Sequence, residues 1–264
     1  MIIDAHCHAG PGDGFTGPWD TCAPLDDYRA RAARAGITHT MIWAAFHTDY
    51  AVANEAVAAI VKRDPARYSA LAFVHAQRDR GRIGQMVERA VRQHGFRGIK
   101  CHRGDARITR EVCDAAARLQ IPVLYDVMGE VESVALFAPA YSSVNFIIPH
   151  MGSYADDWRH QRNMVDILTR YPNVYTDTAG VRNFDYLVDA VKRAGAHKVL
   201  FGSDGPWVHP GVELAKVKEL IVELKLDQRS AAQLLGQNAA RLFRLNAAYP
   251  VRAPQPSANV AHAA

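Results

Sequence analysis

The sequence has little of what marks most specialised protein classes. Its four cysteines, Cys7, Cys22, Cys101 and Cys113, show no C-x-x-C spacing and suggest no disulfide framework. They read as cytosolic thiols. Charge of one sign is not concentrated anywhere: 31 Lys and Arg stand against 27 Asp and Glu, scattered, for a net +4. That leaves no footprint for nucleic acid or an anionic lipid surface. No apolar run approaches the roughly 20 residues needed to cross a bilayer. The N-terminus lacks the basic and long apolar regions of a secretory signal. The expectation is a cytoplasmic protein acting on a small molecule, with no nucleic-acid or membrane partner, and a homodimer as the base-rate assembly.

What is present is an ordinary globular composition, 49% hydrophobic over 264 residues, enough for one large α/β domain or two small ones. Short apolar runs alternate with helical patterns. Strands are expected over 2–6, 38–46, 68–75, 96–102, 121–126, 144–150, 173–177 and 198–204. Helices are expected over 25–35, 51–63, 82–94, 109–119, 131–138, 158–171 and 184–194, then 212–224 and 230–245. Gly36 and Gly95 sit where C-caps belong. Eight strands alternating with helices imply a parallel sheet with right-handed crossovers. The number and spacing match a single-domain α/β fold, a (β/α)₈ TIM-type barrel over residues 1–246. An open doubly wound sheet is the alternative. Residues 247–264, Ala- and Pro-rich without periodicity, read as a disordered tail.

In a (β/α)₈ barrel the chemistry lies at the C-terminal ends of the strands. Nearly every expected strand here ends in a reactive group: His6 and His8, His47, His75, Lys100 and His102, Asp126, His150, Asp177, Asp204. Strand alternation would turn Asp4, His6 and His8 to one face, where two imidazoles can hold a metal. Each group also has a plainer reading. His47, His75 and His102 suit rim histidines bonded to backbone, and Asp177 a helix cap or structural partner. As a set, buried carboxylates and imidazoles are costly unless paired or metal-bound. Gly152 would let the chain turn sharply after His150. Asp204 sits in Gly202-Ser203-Asp204-Gly205-Pro206, where a strand stops with its carboxylate at the mouth.

These residues resemble the amidohydrolase superfamily. The segments are Asp4-Ala5-His6-Cys7-His8, Gly98-Ile99-Lys100-Cys101-His102, Ile148-Pro149-His150-Met151-Gly152 and Leu200-Phe201-Gly202-Ser203-Asp204-Gly205-Pro206. The branch is the amidohydrolase-2 group, which includes aminocarboxymuconate-semialdehyde decarboxylase-like enzymes. The closing Gly236-Gln237-Asn238-Ala239-Ala240-Arg241-Leu242-Phe243 looks like that group's final helix. The resemblance implies a metal-dependent barrel with His6, His8 and a strand-five histidine as ligands. Asp204 would be a further ligand that also handles the proton of the activated water. It implies for His150 either a ligand role or a catalytic one.

The chain departs from the family on strand five, where Pro122-Val123-Leu124-Tyr125-Asp126-Val127 puts Asp126 in the histidine's slot. Either Asp126 supplies an oxygen ligand, which hardens the site toward Mn²⁺ or Fe²⁺ relative to zinc, or it serves as a base or substrate group. Some amidohydrolases carboxylate a strand-four lysine to bridge two metals, an option open to Lys100. The resulting expectation is a hydrolase of a small amide, ester or lactone, with one divalent ion on His6, His8, Asp126 and Asp204. Zinc is the family's metal. Asp204 and His150 would be catalytic, and His47, His102, Arg103, Tyr154, Arg182 and Trp207 would border the substrate. Two alternatives use the same residues: a non-oxidative decarboxylase of an aromatic or unsaturated acid, and a non-catalytic barrel that has lost its metal.

Overall fold

A computed structural model describes residues 1–14, 22–153 and 157–245. The chain opens with β1 (Ile3–Pro11), the short β2 (Cys22–Ala23) and α1 (Leu25–Ala35). Next come β3 (His39–Ala44), α2 (Tyr50–Arg63), β4 (Tyr68–Ala70), β5 (Ala72–Phe73) and α3 (Ile83–His94). The middle holds β6 (Ile99–His102), α4 (Arg110–Leu119), β7 (Val123–Asp126), α5 (Val134–Phe137), β8 (Phe146–Ile148) and α6 (Trp158–Arg170). It ends with β9 (Val174–Asp177), α7 (Phe184–Ala194), β10 (Val199–Leu200), α8 (Pro210–Glu223), α9 (Gln228–Ala232) and α10 (Asn238–Leu242).

Apart from the β1–β2 pair, every ladder is parallel, in the orders β2-β1-β3-β4 and β10-β9-β8-β7-β6-β5. The two sheets are one barrel. Leu71, between β4 and β5, donates to Ile42 O while Ala72 donates to Gly98 O, so a single strand passes from one partner to the next. On the other side Ala5 donates to Phe201 O and Asp204 to His6 O, both within 2.9 Å, which joins the end of the chain's last strand to β1. This is the (β/α)₈ TIM-type barrel the alternation predicts.

The strands form because their residues are apolar on both faces: Met41, Ile42 and Trp43, Val123 and Leu124, and Phe146 and Ile147 are fully buried. The helices bury one stripe, as Ile83, Val87, Ala90 and Val91 do on α3. Gly36 and Gly95 end α1 and α3 in the left-handed conformation, as their positions predict. At the barrel floor, the Lys198 ammonium donates to the carbonyls of Tyr171, Pro172 and Val174, and Asn238 donates to those of Ala196 and Val199.

Several boundaries differ from expectation. β1 runs on to Pro11 because Gly10 and Pro11 pair antiparallel with Ala23 and Cys22. No G-x-G-x-x-G is expected after any strand, yet Gly12, Gly14 and Gly17 have that spacing directly after β1; β2 intervenes before the next helix, so the motif does not open a helix as a dinucleotide loop does. Strand three ends at Phe73, and His75 turns away to receive the amide of Arg78. The helix expected over 131–138 is a 3₁₀ turn followed by α5, and the last helix is split between α9 and α10 by an irregular turn at Gly236. The tail expected over 247–264 lies outside the described residues.

Candidate active site

β1 does not alternate simply. Asp4 pairs with Thr40 but Cys7 with Ile42, so three steps on β1 match two on β3. This bulge reverses the facing of Asp4 relative to His6 and His8. Asp4 points toward α1, where Tyr28 Oη donates to it at 2.7 Å, and the Ser203 hydroxyl and amide bind the same carboxylate. Burial raises Asp4 to about 6 despite those hydrogen bonds. The expectation of one shared face for Asp4, His6 and His8 is thus corrected: Asp4 ties β1 to the end of the last strand from behind.

His6 and His8 face a cavity of about 530 Å³ at the strands' C-terminal ends. His6 Nδ1 lies 2.8 Å from Asp177 Oδ2, and the other Asp177 oxygen accepts the amides of His150 and Ala179. Asp177 therefore orients His6, the outer-shell arrangement that fixes a ligand's tautomer. The His6 Nε2 is buried with no hydrogen-bond partner, 3.2 Å from Asp204 Oδ1. His8 is set the same way: Nδ1 bonds Ala44 O at 3.1 Å, while Nε2 receives the indole N–H of Trp43 and stands 3.6 Å from Asp204 Oδ1.

Electrostatics follow from this packing. Burial works against a charged His6, but Asp177 and Asp204 outweigh it and push the imidazole up to about 9. Burial holds His8 well below the usual imidazole range. Burial also disfavours the Asp204 carboxylate, yet the adjacent imidazoles of His6, His150 and His8 hold it below the usual carboxylate range. Asp204 itself sits at φ 59°, a left-handed conformation uncommon for a non-glycine residue. Just before it, Gly202 is obligatory: a Cβ there would meet His6 Cβ at 2.9 Å and Asp177 Cγ at 3.1 Å.

The ligand atoms of His6, His8 and Asp204 lie within 4.8 Å of one another, as do those of His6, His150 and Asp177. The orphaned His6 nitrogen and the N,N,O donor set fit a divalent ion at the first group. In the second group, hydrogen bonds already engage both Asp177 oxygens.

The opposite wall is built from β6, β7 and the turn after β8. Lys100 and His102 alternate onto the cavity side of β6, and His102 pairs in register with Asp126. His102 Nδ1 receives the Gly104 amide, so its Nε2–H points to Asp126 Oδ2 at 3.3 Å. The other Asp126 oxygen accepts the Met128 amide at 2.8 Å. His102, His150 and Lys100 keep Asp126 well below the usual carboxylate range although burial opposes this. His150 is not at a strand end; it lies in a tight turn at φ 58°, followed by Met151 at φ 53° and Gly152 at φ 80°. Its Nδ1 bonds Ala179 O at 2.7 Å, and its Nε2 stands 3.6 Å from Asp126 Oδ2.

The expected four-ligand set is therefore divided. His6, His8 and Asp204 gather on one wall, while Asp126 is drawn to His102 and His150 on the other. Of the expected substrate-bordering residues, His102 and Trp207 line the cavity. Trp207 lies 4.4 Å from His8 between ring centroids, and its N–H is held by Cys22 O. His47 lies off the cavity wall, its Nδ1 taking the Asp49 amide. Arg103 is turned to an ion pair with Glu130 at 2.8 Å. Arg182 is exposed on the loop after β9, and Tyr154 lies outside the described residues. Sequence reasoning missed Phe46, Met128 and Val208 on the wall, which carry no chemical signal. It also missed the hold of Asp177 on His6, which the position of Asp177 at a strand end hinted at.

An amidohydrolase family model, Amidohydro_2, matches residues 3–245, and the chain belongs to that family. No curated protein matches it. Among solved structures, it is similar to a dihydroxybenzoic acid decarboxylase from Polaromonas sp. JS666 with bound manganese and 2-nitroresorcinol. That match has 16% identity, a TM-score of 0.68, and covers 94% of this chain and 98% of that one. It is also similar to 5-carboxyvanillate decarboxylase from Sphingomonas paucimobilis (15%, TM-score 0.70, 92% and 98%). A third is an amidohydrolase from Burkholderia multivorans with bound zinc (16%, TM-score 0.75, 92% and 99%). At these identities the likeness establishes the fold. Among the described residues no helix is long and apolar enough to cross a membrane.

Proposed function

We propose that this chain is a metal-dependent hydrolase of a small ester, lactone or amide. The observation that carries the reading is the Asp204 carboxylate, held ionised beside two oriented imidazole nitrogens at the cavity mouth. A divalent ion held by His6, His8 and Asp204 would supply Lewis-acid polarisation of the scissile carbonyl and activation of water. Zinc suits the N,N,O set, because Asp126 stands with His102 and His150 and no longer argues for a harder ion. Asp204 takes the proton of the attacking water and returns it to the leaving oxygen or nitrogen. Asp177 binds Nδ1 and so turns the His6 Nε2 to the cavity, where a bound ion would take the place of the proton that Asp177 and Asp204 favour in its absence. His150 gives its Nδ1–H to Ala179 O and turns Nε2 into the cavity beside Asp126, where that nitrogen accepts a proton as a base and, once it has done so, can donate to a developing oxyanion. The free, buried thiols of Cys7, Cys101 and Cys113 suit a reducing, cytoplasmic compartment.

One observation favours a second reading. Phe46 and Trp207 flank the cavity, which would suit an aromatic acid, and two of the similar solved proteins are decarboxylases of such acids. Incubation of the zinc-loaded protein with panels of lactones, esters and aromatic acids separates them. Cleavage without CO₂ release supports the hydrolase; CO₂ release without cleavage sinks it in favour of the lyase. Metal below about a tenth of an equivalent after metal-supplemented expression would count against both.

A further inference from the structure

Lys100 has no place in the mechanism above, and its surroundings are unusual. It is 1% exposed, lies on the cavity side of β6, and its ammonium stands 5.0 Å from the centre of the Trp43 ring and 6.0 Å from that of Phe73. Among the described residues it makes no hydrogen bond and no ion pair within 4.0 Å. An ammonium has three donors and no acceptor; here the stem is buried on Trp43 and Phe73 while the head opens on the cavity, where a ligand can reach it. The aromatic faces attract the charge. They cannot accept three hydrogen bonds.

We infer that Lys100 is the substrate anchor of the cavity, and that it takes a carboxylate carried by the substrate. The inference rests on the cavity being the catalytic site. The charge pattern selects the ligand class. Lys100 is the one ammonium lining the cavity among the described residues, and Asp126 is a lining carboxylate with no part in holding the ion, so a second negative charge on the ligand, as on a phosphate monoester, would meet Asp126. No arginine lines the cavity among the described residues, so there is no bidentate clamp for phosphate either. A monocarboxylate fits: it forms one charge-assisted pair with Lys100 and leaves the rest of its surface to Phe46 and Trp207. The substrate is then a small carboxylate-bearing lactone, ester or amide, bound with its acid toward β6 and its carbonyl toward His6, His8 and Asp204.

Calorimetry with the full-length, zinc-loaded protein tests this without requiring turnover. The probes are benzoate and its neutral isostere benzamide, each titrated into wild type, Lys100→Met and Lys100→Gln. Wild type should bind benzoate at least tenfold more tightly than benzamide. Both variants should lose about 10- to 100-fold of benzoate affinity, the effect of removing one charge-assisted hydrogen bond, with benzamide unchanged. Equal benzoate affinity in wild type and a folded variant overturns the anchor, because coordination to zinc alone would survive the substitution. A ¹³C carbamate signal on Lys100 in bicarbonate buffer, absent from both variants, overturns it as well. If no ester, lactone or amide is cleaved yet benzoate selectivity depends on Lys100, the hydrolase reading fails and the anchor stands.

Discussion

Two buried lysines sit at opposite ends of the barrel, and they are treated in opposite ways. Lys198, at the floor, lies 4.8 Å over the Tyr175 ring and gives its ammonium to three backbone carbonyls. Lys100, at the mouth, lies 5.0 Å over Trp43 and gives its ammonium to no described residue. The ring contact is alike; the hydrogen bonding is not. At the floor a buried charge is satisfied within the chain, so it works for stability. At the mouth the ammonium opens on the cavity, within reach of something that binds there. The orphaned His6 Nε2 belongs to the same open end. In a (β/α)₈ barrel this is the division expected between a stability face and an active face.

Substitutions at the mouth should therefore remove activity without unfolding the chain. Asp204→Asn keeps the shape of the carboxylate and removes the base, so kcat should fall about 10³-fold, within the range for lost general-base catalysis. The melting temperature should stay within a few degrees. Residual activity near wild type would show that another group handles the proton. Asp177→Asn acts one step back. It replaces an acceptor of three donors with an amide that cannot accept them all. A loss of about 10- to 100-fold in metal affinity or activity is expected, the usual range for an outer-shell partner. Metal titration followed by assay reads both quantities. Asp126→Asn sharpens the contrast between the walls: zinc stoichiometry by elemental analysis should remain that of wild type. Loss of the metal would return Asp126 to the ligand set.

How much of this the sequence carried depends on the kind of signal. The barrel was legible because alternation of apolar strands with amphipathic helices is a repeated, many-residue pattern. Gly36 and Gly95 were legible because a left-handed C-cap has few alternatives. His6, His8 and Asp204 converge as their places at strand ends predict, since the barrel brings all such ends to one mouth. Asp4 was misplaced because parity counts residues, and the bulge between Asp4 and Cys7 adds one that no residue type announces. Asp126 stands across the cavity for a similar reason. Its in-register neighbour His102 and the Met128 amide hold it, and cross-strand register is invisible along a single strand. Arg103 looked like a substrate clamp only while its partner Glu130, on a separate loop, was out of view.

The floor gives the matching test on stability. Lys198→Met leaves the carbonyls of Tyr171, Pro172 and Val174 short of a donor. That should cost about 2 kcal/mol, the scale of leaving buried acceptors unsatisfied. For a chain of this size this lowers the melting temperature by about 4–8 °C. kcat should be unchanged, because the substitution lies at the far end of the strands. A wild-type melting temperature in Lys198→Met would break the contrast at its structural end.

Lys100→Met is the smallest expected effect and the most discriminating. The same chemical change at the mouth strands no acceptor, since Lys100 has no hydrogen-bond partner among the described residues. It also removes a desolvated charge, and burial already disfavours that charge, lowering the Lys100 ammonium below its ordinary range. The methionine side chain matches the aliphatic stem and packs on Trp43 and Phe73. The melting temperature should therefore stay level or rise by about 2 °C, within the few tenths of a kcal/mol typical of substitutions that break no partner. A drop as large as that of Lys198→Met would mean that Lys100 is satisfied from within the fold. The two lysines would then be structural alike, and the mouth would offer no ammonium to a ligand at β6.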